Sequence, residues 1–494
     1  MSPSWVLLPD DKPTGKTNIT IENGAVNYNI FGGAYHNQAR IASNITVLGG
    51  TVHGNIYGGN DNTQAGLEAE ADSTLQDVNI TIGDTDATKV PTVKGTIYGG
   101  GKYDKVDAVT IKLLENTKLI SVYGGSDTDA TTISTNIYLQ GMTVNNIYGG
   151  GDTAGTVGVS RIYLESGTVT NVYGGGFEAS VTESNITLEG TATATSIYGG
   201  SNTSGTVTTS KVTLKSGQVT KVFGGGNSAA FGTSNVTVDG SGLNIAEIYG
   251  GSKDAGVGTK SNVTLKAGTV GDVFGGGLGV GVTTTSVKAQ GATVTNIYGG
   301  SSNGGDNEKS SVEVLGSTVG NVYGGNKNAG TTKDANITIH GADSKVTGNV
   351  FGGGYKSDIG KGSEGAVTEA GSTTINIAAG TINGNVNGGS DNGVVYGNTN
   401  INIGKDATDP INSNLTAGTV DIKGIIYGAG SAAAAGDVTV VGNTNILMDN
   451  SSAYPIKYFE ADGVTEKSIY GSGFGGGIQA KKRCFAMCRF VGII

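Results

Sequence analysis

The side chains with the clearest chemical potential in this 494-residue chain are aromatic rings that return at a fixed interval. They stand at Tyr98, Tyr123, Tyr148, Tyr173, Tyr198, Phe223, Tyr249, Phe274, Tyr298, Tyr323 and Phe351, after a less regular start at Phe31 and Tyr57. From Tyr98 to Tyr323 the steps are 25, 25, 25, 25, 25, 26, 25, 24 and 25 residues. Each ring follows an aliphatic residue and precedes two glycines, as in Val172-Tyr173-Gly174-Gly175. If Val172 points inward, strand alternation turns Tyr173 outward. Stacked repeats would then set the rings about 5 Å apart. Such a column offers its faces to the apolar sides of sugars and its hydroxyls to their polar groups. The plainer alternative is that the rings stack on one another under the following loop, for stability alone. The glycines are expected to supply positive φ at a corner.

Conventional reactive groups are sparse. A polysaccharide hydrolase needs two carboxylates held across a groove, and Glu165 and Glu189 follow the same strand in successive repeats. Their column continues as Lys215, Asp239 and Lys266, the pattern of a mixed-charge surface ladder. Arg161, which a lyase would want opposite a calcium-bound acid, stands alone at a position otherwise held by asparagine or lysine. His36, His53 and His340 share no ligand spacing. Asp61, Asp127, Asp152 and Asp391 follow glycine pairs and hint at oxygen ligands, but turn chemistry explains them more simply. Cys484 and Cys488 lack a second pair. A phosphate-binding loop would need a GK[ST] ending and a following helix. No catalytic residue, metal or cofactor is therefore expected.

Two repeated polar motifs have structural readings. Asn-Ile-Thr or Asn-Val-Thr recurs at Asn18, Asn44, Asn79, Asn185, Asn235, Asn262 and Asn336. It matches a glycosylation acceptor, yet its fixed place at a strand start favours an amide ladder between neighbouring repeats. Outward threonines such as Thr187, Thr213 and Thr237 raise an ice-binding face, but Tyr163, Lys288 and Glu313 interrupt the column.

What must position these residues is a repeated unit. Arg161-Ile162-Tyr163-Leu164 alternates as a half-buried strand, Glu165-Ser166-Gly167 is a turn, and Val169 and Val172, three apart, mark a bend. Such a unit cannot bury its apolar face alone, so parallel stacking must fill the interior. The prediction is an all-β fold: a parallel β-helix solenoid of about 25 residues per coil, right-handed by the default of parallel crossovers. Prolines at 3, 9, 13, 91, 410 and 455 avoid the regular block, as doubly paired strands require. A kelch propeller also uses diglycine after a strand, at about 50 residues per blade; here each 25-residue half has its own pair, and the only tryptophan is Trp5.

The expected organisation is an irregular leader (1–17), first coils with a loop insertion (18–97), regular repeats (98–354), decorated coils (355–477) and a basic non-repeat tail (478–494). Within it, loops are expected at 60–77 and 356–371. Net charge is −10, and only Arg40 and Arg161 are arginines before the tail, which argues against nucleic acid or anionic membrane as partner. No apolar run reaches the roughly 18 residues of a spanning helix. The opening residues lack a secretory signal, so a fragment of a longer secreted polypeptide is expected.

With its (N)-(I/V)-T-(L/I/V) strands and (I/V)-(Y/F)-G-G corners over roughly 18–477, the chain resembles the glycine- and threonine-rich surface proteins of bacteria. It is similar in kind to autotransporter passengers and filamentous adhesins. The resemblance implies export, cell-surface display and non-catalytic attachment to glycans or proteins. A polysaccharide lyase or glycoside hydrolase on the pectin-lyase-like version of this fold is the alternative.

Overall fold

The computed structural model describes residues 15–33, 42–61, 75–84, 86, 89–103, 105–114, 117–363, 366–404, 418–432, 439–449, 455–460, 465, 467–471, 474–475 and 486–490. They form an all-β parallel solenoid of about 14 turns at roughly 26 residues per turn. The chain divides into two compact units, Met1–Thr195 with Gly200–Thr208, and Ser196–Gly199 with Thr209–Ile494.

In the first unit, strands Thr131–Tyr148 and Thr156–Tyr173 lie parallel with Asn136 beside Arg161, Tyr138 beside Tyr163, Val144 beside Val169 and Tyr148 beside Tyr173. In the second, Phe231–Val238 pairs with Gly258–Leu265 and Asn244–Tyr249 with Thr269–Phe274, with Ser234 beside Ser261, Val236 beside Val263 and Ile248 beside Val273. One coil shows why the sequence closes on itself. Phe231, Ser234, Val236, Val238, Ile245, Ile248 and Tyr249 are all buried. Steps of two keep a straight strand's inner face inward. Steps of three, Phe231 to Ser234 and Ile245 to Ile248, turn the chain and bring the next side over the same interior.

The corner glycines work by close approach, which corrects the expectation of positive φ. A Cβ on Gly224 would stand 2.4 Å from the Gly250 carbonyl oxygen of the next coil, and Gly224 is not among the glycines with positive φ. Positive φ is used elsewhere, as at Gly167 (φ 90°), where the turn expected over Glu165-Ser166-Gly167 is instead part of the continuous strand Thr156–Tyr173.

The irregular stretches differ in detail from the sequence reading. The strand Leu75–Ile82 begins inside the segment expected to be a loop as far as Asp77. The loop expected over 356–371 contains an antiparallel pair, Lys361–Ser363 with Ala366–Glu369. Ala486–Phe490, within the tail expected to lie outside the repeat, pairs in parallel with Thr444–Met448. Trp5, His36, Arg40, Pro410 and Cys484 lie outside the described residues. Among the described residues no helix is long and apolar enough to cross a membrane.

Candidate functional site

The repeated rings form stacked columns, and the columns are buried. In the first unit Phe31, Tyr57, Tyr98, Tyr123, Tyr148 and Tyr173 stack at centroid separations of 4.7, 5.0, 5.1, 4.5 and 4.8 Å. In the second, Tyr198, Phe223, Tyr249, Phe274, Tyr298, Tyr323 and Phe351 do so at 4.9, 4.8, 4.8, 5.0, 4.9 and 5.0 Å. From Tyr57 to Phe351 none of these rings is more than 6% exposed. The outward presentation expected from alternation is therefore corrected. Val172 and Tyr173 are consecutive and both buried, because the strand ends at Tyr173 and the chain bends at Gly174 instead of continuing the alternation. The ring faces meet other rings, so a sugar would have to part the column to stack on them.

The loops after the glycine pairs supply the cover. The Tyr57 hydroxyl donates to Asp127 Oδ2 at 2.9 Å, and Tyr98 donates to Asp152 Oδ2 at 3.1 Å, each aspartate reaching back from a loop further along the solenoid. Phe177 packs edge-on against Tyr148 and Tyr355 against Tyr323. Lys327 sits over the Phe274 and Tyr298 rings while pairing with Asp272 at 2.8 Å. Burial first, with aspartate neighbours adding to it, pushes the Tyr57 phenol up to about 12 and drives Tyr98 and Tyr123 higher still. Burial also raises the Asp152 carboxyl, and lifts Asp391 to about 6 against the opposing pull of Lys356. The aspartates Asp127 and Asp152 thus act as acceptors for tyrosine hydroxyls. Among the described residues no three His, Cys, Asp or Glu side chains converge as a metal site.

Two polar systems hold the coil together. The asparagine ladder read from the sequence is present in part: Asn44 donates to Asn18 at 2.8 Å, Asn79 to Asn44 at 3.1 Å and Asn262 to Asn235 at 3.0 Å, whereas Asn185 stands beside Arg161 and donates to Glu183 at 3.2 Å, and Asn336 stands beside Ser311 and Thr374. A second ladder, missed in the sequence, precedes the aromatic column, with Asn171 donating to Asn146 at 3.1 Å and Asn321 to Asn296 at 3.0 Å. Also missed is an internal hydroxyl clip. Thr135, Ser160, Ser210 and Thr399 are fully buried and donate to the carbonyls of Gly149, Gly174, Gly224 and Gly428 at 2.8, 2.5, 2.6 and 2.5 Å. A signal existed: Ser160 lies two residues before Ile162 and so shares its inward phase.

The outward faces carry the remaining chemistry. Glu165 accepts from Gln140 Nε2 at 2.9 Å, and in the second unit Lys266 pairs with Asp239 at 3.5 Å, as a charge ladder predicts. Glu313 lies 2.8 Å from Lys288 Nζ and 3.1 Å from His340 Nε2, and the His340 hydrogen bond together with Lys288 holds its carboxyl down to about 2. His53 is exposed on the other unit. An open cleft of about 860 Å³ in the second unit is lined by Lys423, Lys457, Phe459, Glu460 and Lys467; Lys467 Nζ is held against the Lys423 carbonyl. One aromatic pair does face outward: Tyr138 and Tyr163, stacked at 4.8 Å and half-buried, on the same strands that bury Tyr148 and Tyr173.

Comparison of the chain with protein-family models, with curated proteins and with solved structures gives no match.

Proposed function

We propose that this solenoid is a non-catalytic attachment scaffold, displayed outside the cell or on a bacterial surface, whose outer strand faces meet glycans or proteins. The observation that carries the reading is how polar chemistry is distributed. Asparagine bonds asparagine, lysine meets carboxylate in the next rung, and serine clips its own coil's glycine carbonyl. Repeated contacts of this kind add stability per coil and leave successive coils with similar outward surfaces. An enzyme instead gathers unlike groups at one point. The repeat pattern that resembles bacterial surface proteins supports the same reading.

The test is direct. Purified protein incubated with a panel of acidic and neutral polysaccharides should be retained on some of them and should leave their chain length unchanged. Depolymerisation that disappears in Glu165→Gln or Glu189→Gln would replace the scaffold with the polysaccharide-cleaving alternative.

A further inference from the structure

The first described coil leaves both the solenoid's interior and its backbone pairing open. Lys16–Ile21 pairs in parallel with Ala42–Val47, and with no other strand among the described residues. Ile45, Val47 and Val52 are 0% exposed, whereas their register partners in the first coil, Ile19, Ile21 and Val26, are only half-buried. The Phe31 ring stacks on Tyr57 with one face and is half-buried too. An apolar coil end beside an unpaired strand edge is a template for another strand.

The open edge has a defined pattern. The Ile21 carbonyl accepts from Leu48 N at 2.8 Å, so Thr17, Ile19 and Ile21 direct their backbone groups toward Ala42–Val47. Lys16, Asn18 and Thr20 therefore present N–H and C=O to the open side. The Asn18 side chain heads the asparagine ladder: its Oδ1 accepts from Asn44 at 2.8 Å, so its own Nδ2 points the other way, off the open edge.

The segment Lys16-Thr17-Asn18-Ile19-Thr20-Ile21-Glu22 is complementary to itself when laid antiparallel. Full overlap centres it on Ile19. Ile19 then meets the partner's Ile19, Thr17 meets the partner's Ile21, Asn18 the partner's Thr20, and Lys16 the partner's Glu22. Every inward side chain faces an inward one. Asn18 and the partner's Thr20, whose backbones both point outward, exchange two N–H···O=C bonds. A slip of one residue would set inward side chains against outward ones. A slip of two keeps the faces but separates Lys16 from the partner's Glu22. Lys16 and Glu22 are the only charged residues in 15–33, and neither has an ionic partner among the described residues. This coil is thus neutral in a chain of net charge −10, and no like charges on it oppose close approach.

We infer that the chain forms a symmetric dimer, in which two copies pair the strand Lys16–Ile21 antiparallel across a two-fold axis at Ile19. The interface is isologous, the same patch on both copies. It completes the backbone pairing of the edge strand and removes water from Ile19, Ile21, Val26 and Phe31. The attachment reading does not depend on it; a dimer adds a second copy of each outward face to the same particle.

Sedimentation equilibrium of the whole chain over about 1–100 µM should give twice the mass of one chain at the upper end. Lys16→Glu sets glutamate against the partner's Glu22, and Glu22→Lys sets lysine against lysine. Each should weaken the dimer about tenfold or more. The double reversal, and an equimolar mixture of the two single variants, restore opposite charges at both ends and should recover the wild-type dissociation constant within about threefold. Both positions are exposed, so ellipticity and unfolding midpoints should match the wild type in every variant. Amide exchange at Asn18 and Thr20 should slow as the dimer forms and quicken on dilution. A wild type that stays monomeric at the highest concentration overturns the dimer. Slow exchange at Asn18 and Thr20 in that monomer would assign the edge to residues 1–14, and fast exchange would leave it bare. A dimer indifferent to the single reversals, or one that the double reversal fails to restore, overturns the pairing at Ile19. Retention on polysaccharides is a separate readout and stands or falls independently.

Discussion

Strands Thr131–Tyr148 and Thr156–Tyr173 carry two tyrosine pairs that make the same contact in opposite settings. Tyr148 and Tyr173 stack at 4.8 Å and 6°, Tyr138 and Tyr163 at 4.8 Å and 10°. The first pair is 4% and 6% exposed, under the loops after the glycine corners, while the second lies half-buried on the outer face. Ring separation therefore reports the rung spacing of the solenoid and says nothing about role. Burial decides that. The inner rings lose their water and supply packing, and the outer rings, half-buried, keep part of their surface in contact with water.

The largest effect that separates the two settings is alkaline. Burial raises the phenols of the first unit's column, Tyr148 and Tyr57 to about 12. A folded pKa above the unfolded value of about 10 means full stabilisation below pH 10, lost as pH rises through 12. Several column tyrosines contribute together, so β ellipticity is expected to be lost between pH 10 and 12, together with the last part of the rise in phenolate absorbance. Ellipticity that survives ionisation of all 20 tyrosines would mean that the column is open to water, and the contrast would be lost.

Substitution sharpens the same contrast. Tyr148→Ala removes a ring packed between Tyr123 and Tyr173 and edge-on to Phe177, and should destabilise by about 3–5 kcal/mol. Tyr163→Ala removes a half-buried ring with one stacking partner and should cost about 1 kcal/mol or less. Denaturant midpoints of the two variants measure the difference directly. Equal losses would show that the outer pair is structural too.

The period, the inward aliphatics and the bend between Val169 and Val172 were legible because apolar residues have one good place in a stacked coil. The place of Tyr173 was not. Alternation counted from Val172 assumes that the strand continues, and the chain instead bends at Gly174, so the ring stays in the stacked column, and the loop beyond that corner covers the ring of an earlier coil, as Phe177 does for Tyr148. The role of the glycines was obscured for a related reason: sequence shows that a side chain is missing, while only the neighbouring coil shows what occupies its space. Tyr163 read as an interruption in a threonine column, since its stacking on Tyr138 depends on rung register.

The smallest expected effect concerns the clip beneath both pairs. At the corner, the Tyr173 and Gly175 carbonyls accept from Gly149 N at 2.9 Å and Gly150 N at 3.0 Å, which leaves the Gly174 carbonyl to the buried Ser160 hydroxyl at 2.5 Å. Ser160→Ala strands that acceptor away from water and should cost about 1–2 kcal/mol. The chain limits how large the cost can be, because Val78, Val109 and Ala335 occupy the corresponding buried position in other coils without a hydroxyl. Ser160→Thr keeps the donor, as Thr135 does for Gly149, and should recover most of the loss. An unchanged midpoint for Ser160→Ala would mean that the carbonyl is satisfied by relaxation of the corner, and that the ring column above it, rather than the hydroxyl, holds the corner in place.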